Sequence, residues 1–296
     1  MQLCARVRRK PRGEAGAGAR TPAALRTLEK ENAGANRPAL REYGMRVSAL
    51  EFRLRMWIQI VIVILGFWAP WIGRLDLSRR YATLAWLALE ISRLGIAGFS
   101  AAATLVIVLG ALAALAGAVL RVWGVACLGY GVVHGGAMQG GGVVAAGPYR
   151  YLRNPLYLGG WFTFLAIALL MPPSGALFTM VLITIHLLRL IFGEEAFLAQ
   201  KLGEPYREYL RAVPRIVPRI APRIAPRLLS SLPVAGARAH WLVAVGTELT
   251  AIGVFLIMAV LSWSYDNRLM IKALMIVFGL SLIARALLPR EAAAAS

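Results

Sequence analysis

The sequence predicts an all-α integral membrane protein with about six membrane-embedded helices. Three observations lead there. The 296 residues are 59% hydrophobic, with a mean hydropathy of +0.65, where soluble domains are about 45–50% apolar. The apolar residues are gathered in long runs rather than spread evenly, as membrane helices require. The formal net charge of +19 comes from Lys and Arg flanking those runs, as in loops that obey the positive-inside rule. Nucleic-acid binders also reach such charge, but cations placed beside apolar runs point to topology, and no nucleic-acid partner is expected.

Residues 1–55 are rich in Arg, Ala and Gly without an apolar period. Arg6, Arg8, Arg9, Lys10 and Arg12 come early, but no apolar core or small-residue cleavage site of a signal peptide follows. The stretch reads as a basic, disordered cytoplasmic tail, and Met45 is an alternative start. Residues 56–100 hold a first transmembrane helix and a surface helix. The first span is 57–72, with Trp57, Trp68 and Trp71 near its ends as interfacial aromatics. The run 82–98 carries Glu90 and Arg93. Charges at the centre of a span cost roughly 2.5–3.5 kcal/mol each on insertion scales. An amphipathic helix on the far surface is therefore expected, the alternative being a span with Glu90 and Arg93 paired.

The second span is 101–120, and 124–156 is too glycine-rich and polar to continue it. Two apolar arms, 157–171 and 175–192, flank Met171-Pro172-Pro173-Ser174-Gly175, a turn signal. The first arm, about fifteen residues, reaches roughly 23 Å against a hydrocarbon core of roughly 30 Å. A tilted or incompletely spanning hairpin is expected. Residues 193–239 are charged and proline-rich. The runs 241–263 and 269–288 form a last pair of spans within a C-terminal transmembrane hairpin, 240–296. With the basic N-terminus inside, six spans place 123–156, 193–239 and the C-terminus in the cytoplasm, where Arg150, Arg153, Lys201, Arg207, Arg211, Arg215 and Arg290 lie. The connection 74–100, with Arg74, Arg79, Arg80 and Arg93, runs against the rule. Cys4 and Cys127 form no disulfide framework. His134, His186 and His240 have no metal-ligand spacing, so no metal is expected.

Two segments bracket the short hairpin. The first runs from Gly147-Pro148-Tyr149-Arg150-Tyr151 through Arg153-Asn154-Pro155-Leu156-Tyr157 to Gly159. Its prolines fix φ and its glycines allow close backbone approach. Tyr149, Tyr151 and Tyr157 offer ring faces and hydroxyls. Such a loop suits a flat ligand with a charged end, or equally an interfacial anchor on lipid headgroups. The second segment begins with Glu194-Glu195 and continues through Leu202-Gly203-Glu204-Pro205-Tyr206-Arg207-Glu208-Tyr209 to Val213-Pro214-Arg215. Neighbours on a helix do not face alike, so one carboxylate can point at a ligand while the other meets solvent or an Arg. Arg189, five residues before Glu194, is placed to share its site. The alternative is a solvated helix end.

In this order and spacing, Gly-Pro-Tyr-Arg-Tyr, Arg-Asn-Pro-x-Tyr-x-Gly, an apolar hairpin, Glu-Glu-x-x-Leu, Leu-Gly-x-x-Tyr-x-x-Tyr and Val-Pro-Arg resemble the isoprenylcysteine carboxyl methyltransferase family and its relatives among the phospholipid methyltransferases. The resemblance covers about 105–220, within a core of 101–220. It implies S-adenosylmethionine-dependent methyl transfer at a cytosolic cofactor site, with a lipophilic small molecule or lipid as substrate and membrane lipids as surroundings. Carried over, the cofactor residues are Tyr149, Asn154, Pro155, Leu156, Tyr157 and Glu194, with Val143 and Val144 lining the site and His134 as a polar contact. Arg189 and Arg153 are the candidate catalytic residues, holding an anionic substrate or the cofactor carboxylate. Asn154 departs from the family's His; it hydrogen-bonds but does not titrate near neutral pH, so a positioning role is expected. After Val213, proline at every fourth residue excludes a regular helix, and 221–239 reads as an extended Pro/Arg linker. Two other functions fit the pattern less closely: an NADPH-dependent membrane sterol or enone reductase, and a non-enzymatic lipid-binding protein.

Overall fold

The computed structural model describes residues 48–68, 82–128, 143, 145–217 and 241–287, all within the unit 45–296. These residues form helices and no strand. Helix α1 (Ala49–Trp68) starts where the Ser48 hydroxyl accepts the Glu51 N–H at 3.0 Å, satisfying one of the amides that every helix start leaves open. Helix α2 (Thr83–Arg93) has 11 residues, about 16 Å of rise, too short to cross a bilayer. Its ends fall inside the expected stretch 82–98. Glu90 and Arg93 pair at 3.0 Å on its outer side, while Ala88 packs on Ala102 and Ala103 of α3 (Phe99–Leu128).

Helix α3 has 30 residues and runs past the expected end at 120 to Leu128, because Gly124, Val125 and Ala126 are buried and keep the segment apolar. Helices α4 (Pro155–Ala168) and α5 (Pro173–Leu202) form the hairpin, each opened by a proline that donates no N–H. Helix α5 also outruns its expected end. No breaker intervenes until Gly203, which caps it at φ +67°, so the acidic pair lies inside the helix instead of after it. Helix α6 (Glu204–Ala212) follows at once.

The stretch 241–263, expected as one span, is broken. Helices α7 (Trp241–Thr247) and α8 (Leu249–Leu256) meet at Glu248, with a bend of 68°. A π-helical turn (Ile257–Leu261) and a 3₁₀ turn (Ser262–Ser264) lead on towards α9 (Asn267–Leu287). By length and composition, α3, α5 and the Asn267–Ala284 stretch of α9 can each cross a membrane, making three candidate spans among the described residues, or four if the bent pair Trp241–Thr247 and Leu249–Ser264 counts as one span rather than a re-entrant loop. Six had been expected. Among the described residues α1 falls short because Glu51, Arg53 and Arg55 occupy its first two turns. Helix α4 falls short because 14 residues rise only about 21 Å.

Close crossings give the bundle its two ends. At the α3–α4 crossing, a Cβ on Gly117 would lie 2.9 Å from the Gly159 carbonyl oxygen; small residues let membrane helices approach this way. One end of the bundle is gathered round the α4–α5 turn. There Thr83 N–H donates to the Met171 carbonyl at 2.7 Å, and the Asn267 amide donates to Leu170 O at 3.4 Å. A core of Ile107, Ala114, Ile167, Met171, Met258 and Leu274 fills the bundle near that end. The opposite end holds the start of α1, the ends of α3 and α5, the start of α4, and α6.

Candidate active site

The tyrosine–proline loop and the acidic pair meet at this opposite end. Pro148 and Pro155 are almost fully buried, and a 3₁₀ turn, Gly147–Arg150, lays Tyr149 inward. Gly147 has φ +54°, and a Cβ there would press on Cys127 and Trp123 of α3, so the turn needs glycine on both counts. Asn154 ends the loop, and Pro155 starts α4 with Tyr157 in its first turn.

The Tyr157 hydroxyl hydrogen-bonds the Glu194 carboxylate. Arg55 of α1 lies within electrostatic reach of both, with its guanidinium 4.2 Å from the Phe52 ring centroid. Tyr149 is buried, and its hydroxyl has no hydrogen-bond partner among the described residues. Its backbone carbonyl accepts the Tyr209 hydroxyl at 2.8 Å. Burial first, and the nearby Glu194 charge second, push the Tyr149 hydroxyl well above the ordinary tyrosine range. Burial likewise raises Tyr206, helped by Glu195, and Tyr209, against the opposing pull of Arg153. All three remain protonated donors at neutral pH.

Glu195 faces another way, as adjacent helical residues must. It is 7% exposed and holds three partners. Arg215 Nη2 lies at 2.9 Å, Arg153 Nη1 at 3.4 Å, and the Asn154 amide donates at 3.1 Å. The Asn154 amide also lies 3.3 Å from the Arg215 carbonyl, Arg153 N–H donates to Pro214 O at 2.9 Å, and the Arg215 guanidinium stacks 4.8 Å from the Phe192 ring centroid. Val-Pro-Arg is thus fastened to the loop, and the Asn154 amide is one of the ties.

Arg189 is on α5, but Glu51 of α1 holds it bidentately at 2.9 and 2.8 Å, with His186 Nδ1 3.9 Å from the same carboxylate. Val143 is buried with Tyr206, Tyr209 and Val213 against α6. Leu156 packs on Val125 and Ala244, and its carbonyl accepts Arg121 Nη1 at 3.4 Å. His134, Val144, residues 1–47 of the expected tail 1–55 and the linker 221–239 lie outside the described residues, while residues 49–55, expected in that tail, form the first two turns of α1 because they lead without a breaker into its apolar run. Among the described residues no group of three His, Cys, Asp or Glu side chains is placed to hold a metal ion.

Sequence reasoning missed Arg55, Glu51 and the pair Arg121–Glu248. Glu248 left a legible signal: a lone carboxylate within an apolar run needs a buried cation. Arg121, directly after the expected end of the second span, is the cation that answers it. The site end as a whole presents a half-buried carboxylate and buried aromatic hydroxyls, with cations behind them. Such a set can bind an organic cation that also carries hydroxyls and a flat ring.

The fold and this end of the bundle define a helical membrane protein with a polar site built from hairpin-flanking motifs. Residues 105–205, about a third of the chain, match the model of the phospholipid methyltransferase family, the family type that the motifs resemble. That segment contains Arg121, Tyr149, Asn154, Tyr157, Glu194 and Glu195. No curated protein and no solved structure matched the chain.

Proposed function

We propose that this protein is a multi-pass membrane methyltransferase, similar to the isoprenylcysteine carboxyl methyltransferases, that uses S-adenosylmethionine and acts on a lipophilic substrate at the cytoplasmic face. The observation that supports it most is the hydrogen bond between Tyr157 and Glu194. It joins two motifs 37 positions apart (194 − 157), within the family-matched segment.

The residues present suit the cofactor. Tyr149 offers a buried hydroxyl with no partner among the described residues, which a ligand's polar group would satisfy. Glu194 offers a carboxylate for an ammonium group or ribose hydroxyls, and the rings of Tyr149 and Tyr157 offer faces to a cation or a flat base. When bound, S-adenosylmethionine supplies an already activated methyl group. The chain's task is then to orient, to approach in line and to exclude water. Arg153 and Arg189 each carry a carboxylate partner, so either one holds an anionic substrate only by sharing its cation. The cytoplasmic assignment rests on the cations of the site end and the positive-inside rule.

Membranes containing the protein, incubated with methyl-labelled S-adenosylmethionine, are expected to yield label in a product extracted into organic solvent. Identifying that product names the acceptor as a carboxylate, amine or thiol. Label no higher than in membranes lacking the protein would refute the proposal.

A further inference from the structure

We propose that Glu248, at the break between α7 and α8, is a positioning residue of this site, and that the helices beyond residue 205 therefore complete it. The inference rests on the function proposed above. Glu248 is 1% exposed. Its carboxylate takes both arms of the Arg121 fork, Nε at 2.5 Å and Nη2 at 2.9 Å. The remaining nitrogen, Nη1, reaches the Leu156 carbonyl at 3.4 Å, in the middle of Asn-Pro-Leu-Tyr. The stem of Arg121 lies across two glycines of α4. A Cβ on Gly159 would stand 2.8 Å from Arg121 Cγ, and one on Gly160 would stand 3.4 Å from Nη1. Gly159 thus makes room for this arginine and for the close crossing of α3.

From that berth the Arg121 cation is within electrostatic reach of both Tyr149 and Tyr157, the aromatic groups placed in the site. A bidentate carboxylate fixes the plane of a guanidinium as well as its charge. Without it, a flexible cation is free to leave the glycine floor. Glu248 lies outside the family-matched segment, and the 68° bend in its helix pair is where its backbone turns to present the carboxylate. An ionised group inside an apolar run is costly unless paired, and here the pairing is made to the site's own arginine.

The test uses S-adenosylhomocysteine binding by calorimetry on the purified full chain in detergent, beside thermal unfolding. E248Q keeps the size of the side chain but removes its charge and one of the two acceptors that hold Arg121, and is expected to weaken binding about tenfold or more, as loss of a supporting partner does. The exchanged pair, R121E with E248R, restores an ion pair and the melting temperature but leaves binding weak, because the cation now sits on the wrong helix. Wild-type affinity in E248Q, or in the exchanged pair, would overturn the proposal and leave Glu248 a fold-holding residue. If E248Q does not fold, E248D, which withdraws the carboxylate by one methylene, is read in the same way. Wild-type protein that binds no S-adenosylhomocysteine would instead overturn the methyltransferase reading, and this inference with it.

Discussion

Replacing Glu194 by alanine is expected to lower S-adenosylmethionine affinity by about a hundredfold, while the protein still folds. Glu194 is half-buried on the last turns of α5, hydrogen-bonded by Tyr157 and flanked electrostatically by Arg55. A carboxylate placed against a ligand cation in such surroundings contributes about 3 kcal/mol, since one partner of a desolvated charge pair is lost. Little is lost in the unliganded protein, because Tyr157 turns to water or to a neighbour. Calorimetry in detergent measures the change directly. An unchanged dissociation constant would remove Glu194 from the site.

The neighbouring residue is expected to behave in the opposite way. Glu195→Ala removes the carboxylate that pairs with Arg153 and Arg215 and one of the two acceptors of Asn154. Removing one member of a buried ion pair costs about 3–5 kcal/mol. The Arg215 side chain is 33% exposed, which places the expected loss near the lower end, about 3 kcal/mol. Thermal unfolding is then expected roughly 6–12 °C lower, with the Val-Pro-Arg segment released from the loop. Added ligand is expected to recover part of that loss, since the Glu194 side chain is untouched. A melting temperature equal to that of wild type would show that the Asn154–Glu195–Arg215 network does not hold the segment.

The contrast between two adjacent glutamates shows how far the sequence could be read. That one of them faces inward follows from helical spacing alone. That Glu194 is the one came only from the family resemblance, and what Glu195 does depends on partners from the loop and from Val-Pro-Arg. The apolar run of the arm was expected to end at 192, yet the helix continues because it contains no breaker before Gly203. The same applies to α3, whose Gly124 is tolerated because it packs against Leu156. The hairpin and the apolar helical runs were legible because each is a local pattern of hydropathy and punctuation. The ion pairs Arg121–Glu248 and Glu51–Arg189 join residues 127 and 138 positions apart, and no local pattern encodes such a distance. Arg189 illustrates the consequence. Its position five residues before Glu194 made it a partner for that site, but Glu51 lies at hydrogen-bond distance and takes both arms of its guanidinium.

Asn154 was legible in kind but not in target. An amide in place of an imidazole predicts hydrogen bonding without titration. The structure directs that bonding to Glu195 and to the Arg215 carbonyl, so the residue links loop, helix and strap.

The most direct measurement is the thermal stability of the purified full chain with S-adenosylmethionine or with NADPH added. A ligand at a hundred times its dissociation constant stabilises the folded protein by about 2.7 kcal/mol, a shift that is easily read. A rise with S-adenosylmethionine alone, absent in Glu194→Ala, is the expected result. A rise with NADPH instead, or no rise with either, would contradict a methyl-donor site built on Tyr157 and Glu194.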